Sequence, residues 1–336
     1  MKHLLKSTLL LLALLLPASA TAEDFHDFEV DGIYYNRIND NSVEVTFKIR
    51  YFGEYPESDY TGDVIIPTRV TYDGISYSVI QIGWGAFRGC SGLTSVNIPN
   101  SVTSIGTEAF WGCSGLMSVT IPNSVTSISD NIFYGCSSLI SIVVASDNAT
   151  YDSRDNCNAI IITSSNTLIA GCKSTIIPNS VTTIGDESFQ GCTGLTNVTI
   201  PNSVTFIGSW AFAWCSGLND VYCYIVDPSA VIMNNYIFYV DGYHLYSDRT
   251  LHVPVGSLAA YLADSRWSDY FGTIVEGAMP GDVDLDCRVS IADVTELIDM
   301  LLRGDVGVAD NPAADVNGNG IINIADVVEL IDQLLY

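Results

Sequence analysis

Residues 102–124 read VTSIGTEAFWGCSGLMSVTIPNS, and four near-copies of this segment occur elsewhere in the chain. The five copies begin at Val79, Val102, Val125, Val181 and Val204. The first three starts lie 23 residues apart, whereas a longer unit, residues 148–180, separates the third copy from the fourth. That unit keeps the closing phrase Ile-Pro-Asn-Ser. A short fixed period predicts a solenoid, because one small unit cannot bury its own apolar face and must stack on its neighbours.

Each repeat position has a residue type that indicates its structural role. Leu116, Val119 and Ile121 have the spacing of a short strand that turns three side chains inward. Pro122 ends the strand, since proline cannot donate to a ladder, and Gly112 supplies a turn. The upstream apolar positions are spaced for about one turn of helix against the same interior: Ile105, Ala109, Phe110 and Cys113.

The phrase V-T-S-I-G-x-x-A-F-x-G-C-S-G-L-x-x-V-x-I-P-N-S resembles the repeats of BspA-like leucine-rich repeat proteins. The resemblance covers residues 79–226, with an irregular closing segment to about residue 277. It implies a leucine-rich repeat solenoid of short parallel strands and short helices or turns, used in adhesion or partner binding and not in catalysis. The long unit lacks A-F-x-G-C, so residues 151–157 are expected to form a protruding loop or hairpin.

The chain has nine cysteines, an odd number. Five of them share one repeat position: Cys90, Cys113, Cys136, Cys192 and Cys215. Equivalent side chains on stacked strands lie about 4.8 Å apart, farther than the roughly 3.5–4.5 Å between the Cβ atoms of a disulfide. We therefore expect buried, inert thiols at this position. Pairing of Cys157 with Cys172 in the long unit stays open.

The segments that flank the repeat array predict caps on the solenoid and export of the protein. Lys2 and Lys6 precede an apolar run, residues 9–16, and then Ala20-Thr21-Ala22, which is the order of a secretory signal peptide. We therefore predict a secreted or cell-surface protein that keeps no membrane span after cleavage. The predicted organisation is a signal peptide (1–22), a small antiparallel β-cap (23–78), the solenoid with its closing cap (79–276), a linker (277–281) and a last module (282–336).

The last module is an internal duplication with a period of 33 residues. Asp282-x-Asp284-x-Asp286 matches Asp315-x-Asn317-x-Asn319, and an apolar helix with Ile-Ala-Asp-Val at its start follows each loop. Oxygen ligands at loop positions 1, 3, 5 and 12, with a backbone carbonyl at position 7, are the ligand set of a calcium-binding EF-hand. The predicted calcium ligands are Asp282, Asp284, Asp286, Arg288 and Asp293 in the first loop, and Asp315, Asn317, Asn319, Ile321 and Asp326 in the second.

Tandem loops, aspartate at position 12 and one exit helix per loop resemble type I dockerin domains. The resemblance implies an all-α fold with two EF-hand-like loops, two Ca²⁺ ions and a cohesin-like partner. It also implies partner-binding residues at Ile291, Ala292, Ile298 and Asp299, and at Ile324, Ala325, Ile331 and Asp332. The first loop has Cys287 where loop position 6 normally carries glycine, which leaves its affinity for calcium open.

Composition limits the function classes. The net charge is −25 with only 13 lysines and arginines, so a phosphate-binding, nucleic-acid-binding surface is excluded. The four histidines show no metal or catalytic spacing, and we predict no catalytic residues. The leading hypothesis is a non-catalytic binding or adhesion protein whose solenoid engages a protein or glycan. The alternatives are an accessory component of a polysaccharide-degrading complex and a dockerin that folds back on its own solenoid.

Overall fold

The computed structural model describes residues 23–24, 26–50, 56–57, 59–240, 248–277, 280–284, 289–304, 311–318 and 320–335. The predicted signal peptide lies outside these residues. The strands are β1 (Glu23–Asp24), β2 (Phe28–Val30), β3 (Ile33–Asn39), β4 (Ser42–Thr46), β5 (Ile49–Arg50), β6 (Pro56–Glu57), β7 (Gly62–Ile65), β8 (Arg69–Tyr72), β9 (Ile75–Ile82), β10 (Leu93–Asn97), β11 (Ser104–Ile105), β12 (Ser118–Ile121), β13 (Ser127–Ile128), β14 (Ser141–Val144), β15 (Tyr151–Asp152), β16 (Ala159–Ile162), β17 (Thr167–Gly171), β18 (Thr183–Ile184), β19 (Asn197–Ile200), β20 (Phe206–Ile207), β21 (Asp220–Cys223), β22 (Ile232–Met233), β23 (Thr250–Val253) and β24 (Thr273–Glu276). The α-helices are α1 (Leu258–Ala263), α2 (Ser265–Ser268), α3 (Ile291–Arg303) and α4 (Ile324–Leu335).

Each regular repeat contributes two strands to two parallel ladders. In the repeat at residues 102–124, β11 pairs with β9 and β13, while β12 pairs with β10 and β14. The register follows the sequence period, since Val119 lies opposite Val96 and Ile142, each 23 residues away. The predicted stacking of repeats through parallel strands is therefore confirmed.

The interior is a ladder of identical side chains. The ring of Phe110 stacks on Phe87 at a centroid distance of 5.3 Å and on Phe133 at 5.8 Å. After the long unit a second stack begins, in which Phe212 lies between Phe189 and Phe238. Fully buried aromatic rings stabilise the array through their large apolar area and their offset stacking.

The cysteines of the ladder have free thiols, as do all eight cysteines in the described ranges, Cys157 and Cys172 included. The Sγ of Cys113 donates to the carbonyl oxygen of Phe87 in the preceding repeat at 2.9 Å, and Cys136 makes the same contact with Phe110 at 3.1 Å. Cys215 makes the equivalent contact with Phe189 at 3.0 Å, so these three thiols link their repeats to the preceding ones without covalent bonds.

Of the predicted short helices or turns, the repeats form turns: the A-F-x-G-C phrase folds as consecutive turns, and Ile105, expected in a turn of helix, lies in strand β11. The helix is interrupted at Glu108 and at Gly112, whose φ angles of 58° and 73° lie in the left-handed region. Two three-residue 3₁₀ segments, Arg154–Asn156 and Pro228–Ala230, are the helical elements in the described residues between 79 and 240.

Residues 151–157 of the long unit, predicted to form a protruding loop or hairpin, do not protrude. They form β15 and a 3₁₀ segment with Tyr151 and Cys157 buried, and the hairpin of the unit lies farther along the chain. Strands β16 and β17 pair antiparallel, and β17 then pairs in parallel with β18 of the next repeat. Ile160 and Ile161 are fully buried, because the hairpin replaces the missing repeat phrase in the stack.

Both ends of the array are closed by irregular units. At the N-terminal end β2, β3 and β4 are antiparallel and β8 pairs antiparallel with β9, but β4 runs parallel to β9, so the sheet is mixed. Strand β9 crosses the predicted boundary at residue 78 and enters the first repeat. At the C-terminal end α1 begins after Ser257, whose side chain does not cap the helix. Its hydroxyl donates to the carbonyl oxygen of Pro254, while Glu276 accepts from the amide of Leu258.

Helices α3 and α4 pack on each other and share a separate small core with Val283, Val294, Leu297, Val327 and Leu330. Among the described residues, no helix combines the length and apolarity required to cross a bilayer.

Candidate metal centre and docking surface

Two loops followed by helices, related by the 33-residue duplication, build the candidate metal centre. At the start of α3, the Ser290 Oγ accepts from the amide of Ala292, and Asp293 accepts from the amide of Ser290. This reciprocal arrangement is a capping box, which satisfies backbone donors at the start of a helix. The start of α4 repeats it, with Asn323 accepting from Ala325 and Asp326 accepting from Asn323.

The first loop gathers three predicted ligands. One carboxylate oxygen from each of Asp282, Asp284 and Asp293 lies within 4.8 Å of the other two. Asp293 is 0% exposed and Asp282 3%, so two of the three carboxylates are buried. Converging carboxylate oxygens are the donors that a hard cation such as Ca²⁺ prefers, and they fit this ion. Asp286 and Arg288, two other predicted ligands, lie outside the described residues, as does Cys287.

The second loop repeats part of this arrangement. The Asp326 carboxylate accepts from the amide of Asn317 at 3.3 Å, and the Asp315 carboxylate accepts from the amide of Gly320 at 2.8 Å. Gly320 has a φ of 83°, which fits the sharp turn expected at loop position 6. The carbonyl oxygen of Ile321, a predicted ligand, accepts from the side chain of Asn323 at 3.1 Å. Asn319 lies outside the described residues.

The faces of α3 and α4 that point away from the shared core carry large apolar side chains. Ile291 is 73% exposed and Leu302 80%, with Ile298 between them on the same face. On α4 the exposed large apolar side chains are those of Ile324, Val328 and Leu335. The predicted partner-binding residues Ala292, Asp299, Ala325 and Asp332 are also exposed, whereas Ile331 is half-buried against the core.

Leu302, Val328 and Leu335 were not assigned to the partner-binding surface from the sequence. A signal was available in the sequence, because these apolar residues recur at helical spacing and two small helices cannot bury all of them.

The outward row of the solenoid sheet consists mainly of small polar side chains, with exposed Val143 on β14 and an aromatic pair on β21 and β23. Asn197 and Thr199 are exposed on β19, and the Nε2 of His252 lies 2.8 Å from the Oδ1 of Asp220 on the same sheet. The ring of Tyr222 stacks on His252 at 4.3 Å. The hydroxyl and amide groups of this row can hydrogen-bond a ligand.

A separate aromatic cluster lies in the turn regions of the repeats. Trp111 and Tyr134 occupy equivalent positions in neighbouring repeats, and their rings stack. Trp214 contacts Tyr134 edge-on and stacks on Trp210. Trp214 occupies a left-handed position, φ 55°, at which four other repeats have glycine.

These features define a leucine-rich repeat protein with a separate C-terminal module. BspA-type leucine-rich repeats match in six copies over residues 68–171 and 170–243, just over half of the chain. The chain therefore belongs to the BspA-type leucine-rich repeat family. The type I dockerin domain matches residues 280–335, which contain both loops and both helices.

Solved structures similar to this chain are leucine-rich repeat proteins. A leucine-rich repeat protein of T. pallidum is 28% identical, covering 58% of this chain and 70% of its own, with a TM-score of 0.33. A leucine-rich cell surface protein of Faecalibacterium prausnitzii is 18% identical, covering 77% and 96%, with a TM-score of 0.31. A leucine-rich repeat protein of Bacteroides ovatus is 20% identical, covering 75% and 76%, with a TM-score of 0.28. No curated protein matches the chain.

Proposed function

We propose that this chain is a secreted or cell-surface binding protein without catalytic activity, anchored to a cohesin-like partner by its dockerin in a calcium-dependent manner. Residues 277–281 divide the two modules. The solenoid offers its polar sheet row to a protein or glycan, and the dockerin binds two Ca²⁺ ions. The match to a dockerin supports docking as a function, and no catalytic domain is matched.

The observation that carries the docking proposal is the exposed apolar face of α3 and α4. A contiguous row of large exposed apolar side chains on a folded module marks an interaction surface. The row begins at Ile291 and Ile324, within the last three positions of each calcium loop, so metal binding at Asp293 and Asp326 fixes the first turn of both helices. Calcium is therefore expected to order the surface that the partner contacts.

Capture of the full chain on immobilised cohesins, with calcium or with EGTA, tests this proposal. We expect capture with calcium alone, and at least a tenfold loss of affinity for Ile298→Asp, because the charge is desolvated at the interface. Ile140→Asp, an exposed isoleucine of the solenoid, is the matched control and should bind as well as the parent. Calcium-independent capture, or equal binding by both variants, contradicts the proposal.

The non-catalytic assignment is tested separately with the purified chain and a panel of polysaccharides. We expect no release of reducing ends. Membership in a polysaccharide-degrading complex is the second candidate, and the dockerin match supports it. In that case the cohesin that captures the chain also captures glycoside hydrolases.

A further inference from the structure

A cleft of about 520 Å³ lies where the solenoid and the dockerin meet. This volume lies within the range of about 300–1,000 Å³ that is typical of ligand sites. The solenoid wall includes Ile176, Asn197 and Thr199, and the dockerin wall includes Glu329 and Leu334 of α4. Neither module forms the cleft by itself.

The linker holds the two walls together. Tyr224, which is buried in the solenoid, donates its hydroxyl to the carbonyl oxygen of Pro280 at 2.7 Å. The next residue, Gly281, donates its amide to the carbonyl oxygen of Ala313, directly before the second calcium loop. The chain is therefore fixed to the solenoid on one side of Pro280 and to the dockerin on the other.

The charge and polarity of the cleft indicate its ligand. Asp155 on the solenoid wall and Glu329 on the dockerin wall are exposed carboxylates, and no lysine or arginine is among the described residues that line the cleft. The side-chain amide of Asn197 and the hydroxyl of Thr199 can form hydrogen bonds with a peptide backbone. Ile176 is a large exposed side chain that can pack on aliphatic stems. This combination favours a basic, partly apolar peptide over an acidic ligand.

We propose that this cleft binds a short basic peptide segment of a partner protein, and that binding requires calcium. The calcium requirement rests on the proposed function, because Glu329 and Leu334 lie on the helix that the second calcium loop orders. Helix α4, which depends on the metal, then links peptide binding in the cleft to docking through the outer face of the dockerin. Since both require the folded dockerin, calcium strengthens both together.

Fluorescence anisotropy on the full chain tests the cleft, with labelled Lys-Leu-Lys-Leu-Lys and Glu-Leu-Glu-Leu-Glu as probes in calcium or EGTA. We expect binding of the basic probe in calcium and no binding of the acidic one. Glu329→Gln is expected to weaken the binding of the basic probe about three- to fivefold, which corresponds to the free energy of one exposed charge pair. Tyr224→Phe should weaken it as well, since this change frees the linker without touching a calcium loop. Asp130→Asn, the same charge change on the solenoid away from the cleft, is the control.

Equal binding of the two probes, or a Glu329→Gln variant that binds like the parent, overturns the proposal. Displacement of the basic probe by a neutral oligosaccharide overturns it too, because the site would then be a glycan site. Cohesin capture in the same preparations reports docking independently. Retained capture without probe binding refutes the cleft alone, whereas calcium-dependent probe binding without capture refutes docking alone.

Discussion

The carboxylate of Asp293 accepts a hydrogen bond from the backbone amide of Asp284 at 3.1 Å. This contact joins the first turn of α3 to the beginning of its loop, nine residues earlier. Asp326 and Asn317 repeat it in the second loop. Each helix start is thus coupled to the folding of its loop, so a cation bound among these carboxylates stabilises the helix as well.

Removing the charge of Asp293 should weaken calcium binding in the first loop. For Asp293→Asn we expect a loss of affinity of about tenfold or more, because a buried carboxylate both binds the ion and accepts two backbone hydrogen bonds. Isothermal titration calorimetry measures it. Glu296→Gln, the same charge change on the outer part of α3, is the control, and equal affinities for both variants would show that Asp293 is no ligand.

The buried thiols predict a loss of stability at alkaline pH. Burial raises the pKa of Cys90 and of Cys192 to about 12, so these thiols stay protonated in the folded chain when their unfolded counterparts ionise near pH 9. The unfolded state then binds fewer protons, and the free energy of unfolding decreases as pH rises from about 9 to 12. Each thiol contributes a slope of about 1.4 kcal/mol per pH unit.

Urea denaturation of the parent and of Cys90→Ala at pH 8 and pH 10.5 checks this. The variant should lose less stability between the two pH values than the parent does. An identical loss in both would assign the alkaline transition to other groups.

Gly112 should resist substitution because of its backbone. Its φ of 73° is unfavourable for a side chain, whereas an added Cβ would lie at an ordinary contact distance of 3.6 Å from the Cα of Gly89. Gly112→Ala should therefore lower the stability of the solenoid by about 1–2 kcal/mol. Thermal unfolding measures the change, with Gly277→Ala in open space as the control. A Gly112→Ala variant as stable as this control would refute the assignment.

The phenylalanine stack should carry much of the stability of the array. Phe110→Ala removes a fully buried ring between two others, and we expect a cost of about 3–5 kcal/mol. Met117→Ala, at a half-exposed position of the same repeat, should change the stability by less than about 0.5 kcal/mol. Comparable effects of the two changes on denaturant unfolding would contradict this role.

The repeat period predicted the stacking, the strand within residues 116–121 and the inert thiols, because identical units can bury their apolar faces only against one another. It did not predict the second strand of each repeat, such as β11, because Ile105 was assigned to a helical turn. Nor did it predict the form of the turns, since left-handed backbone at Glu108 is set by contacts between repeats and not by residue type. The position of the buried hairpin was not predicted, because the long unit lacks the A-F-x-G-C phrase and only its closing phrase Ile-Pro-Asn-Ser relates it to the array. Trp214 at a glycine position is another such case, in which ring packing with Trp210 accompanies an unfavourable φ.

At the C-terminus, loop spacing predicted a carboxylate cluster that the structure forms from Asp282, Asp284 and Asp293. The contact of Tyr224 with Pro280 could not be predicted, because no periodicity relates a solenoid residue to a linker. A contact between two modules depends on how their folded surfaces are placed relative to each other.

Hydrogen exchange on the full chain, in calcium and in EGTA, tests the central claim most directly. We predict that the amides of α3 and α4 are protected in calcium and exchange rapidly in EGTA, while those of β10, β12, β19 and β21 keep the same protection in both. Equal protection of α3 and α4 with and without calcium would contradict the account.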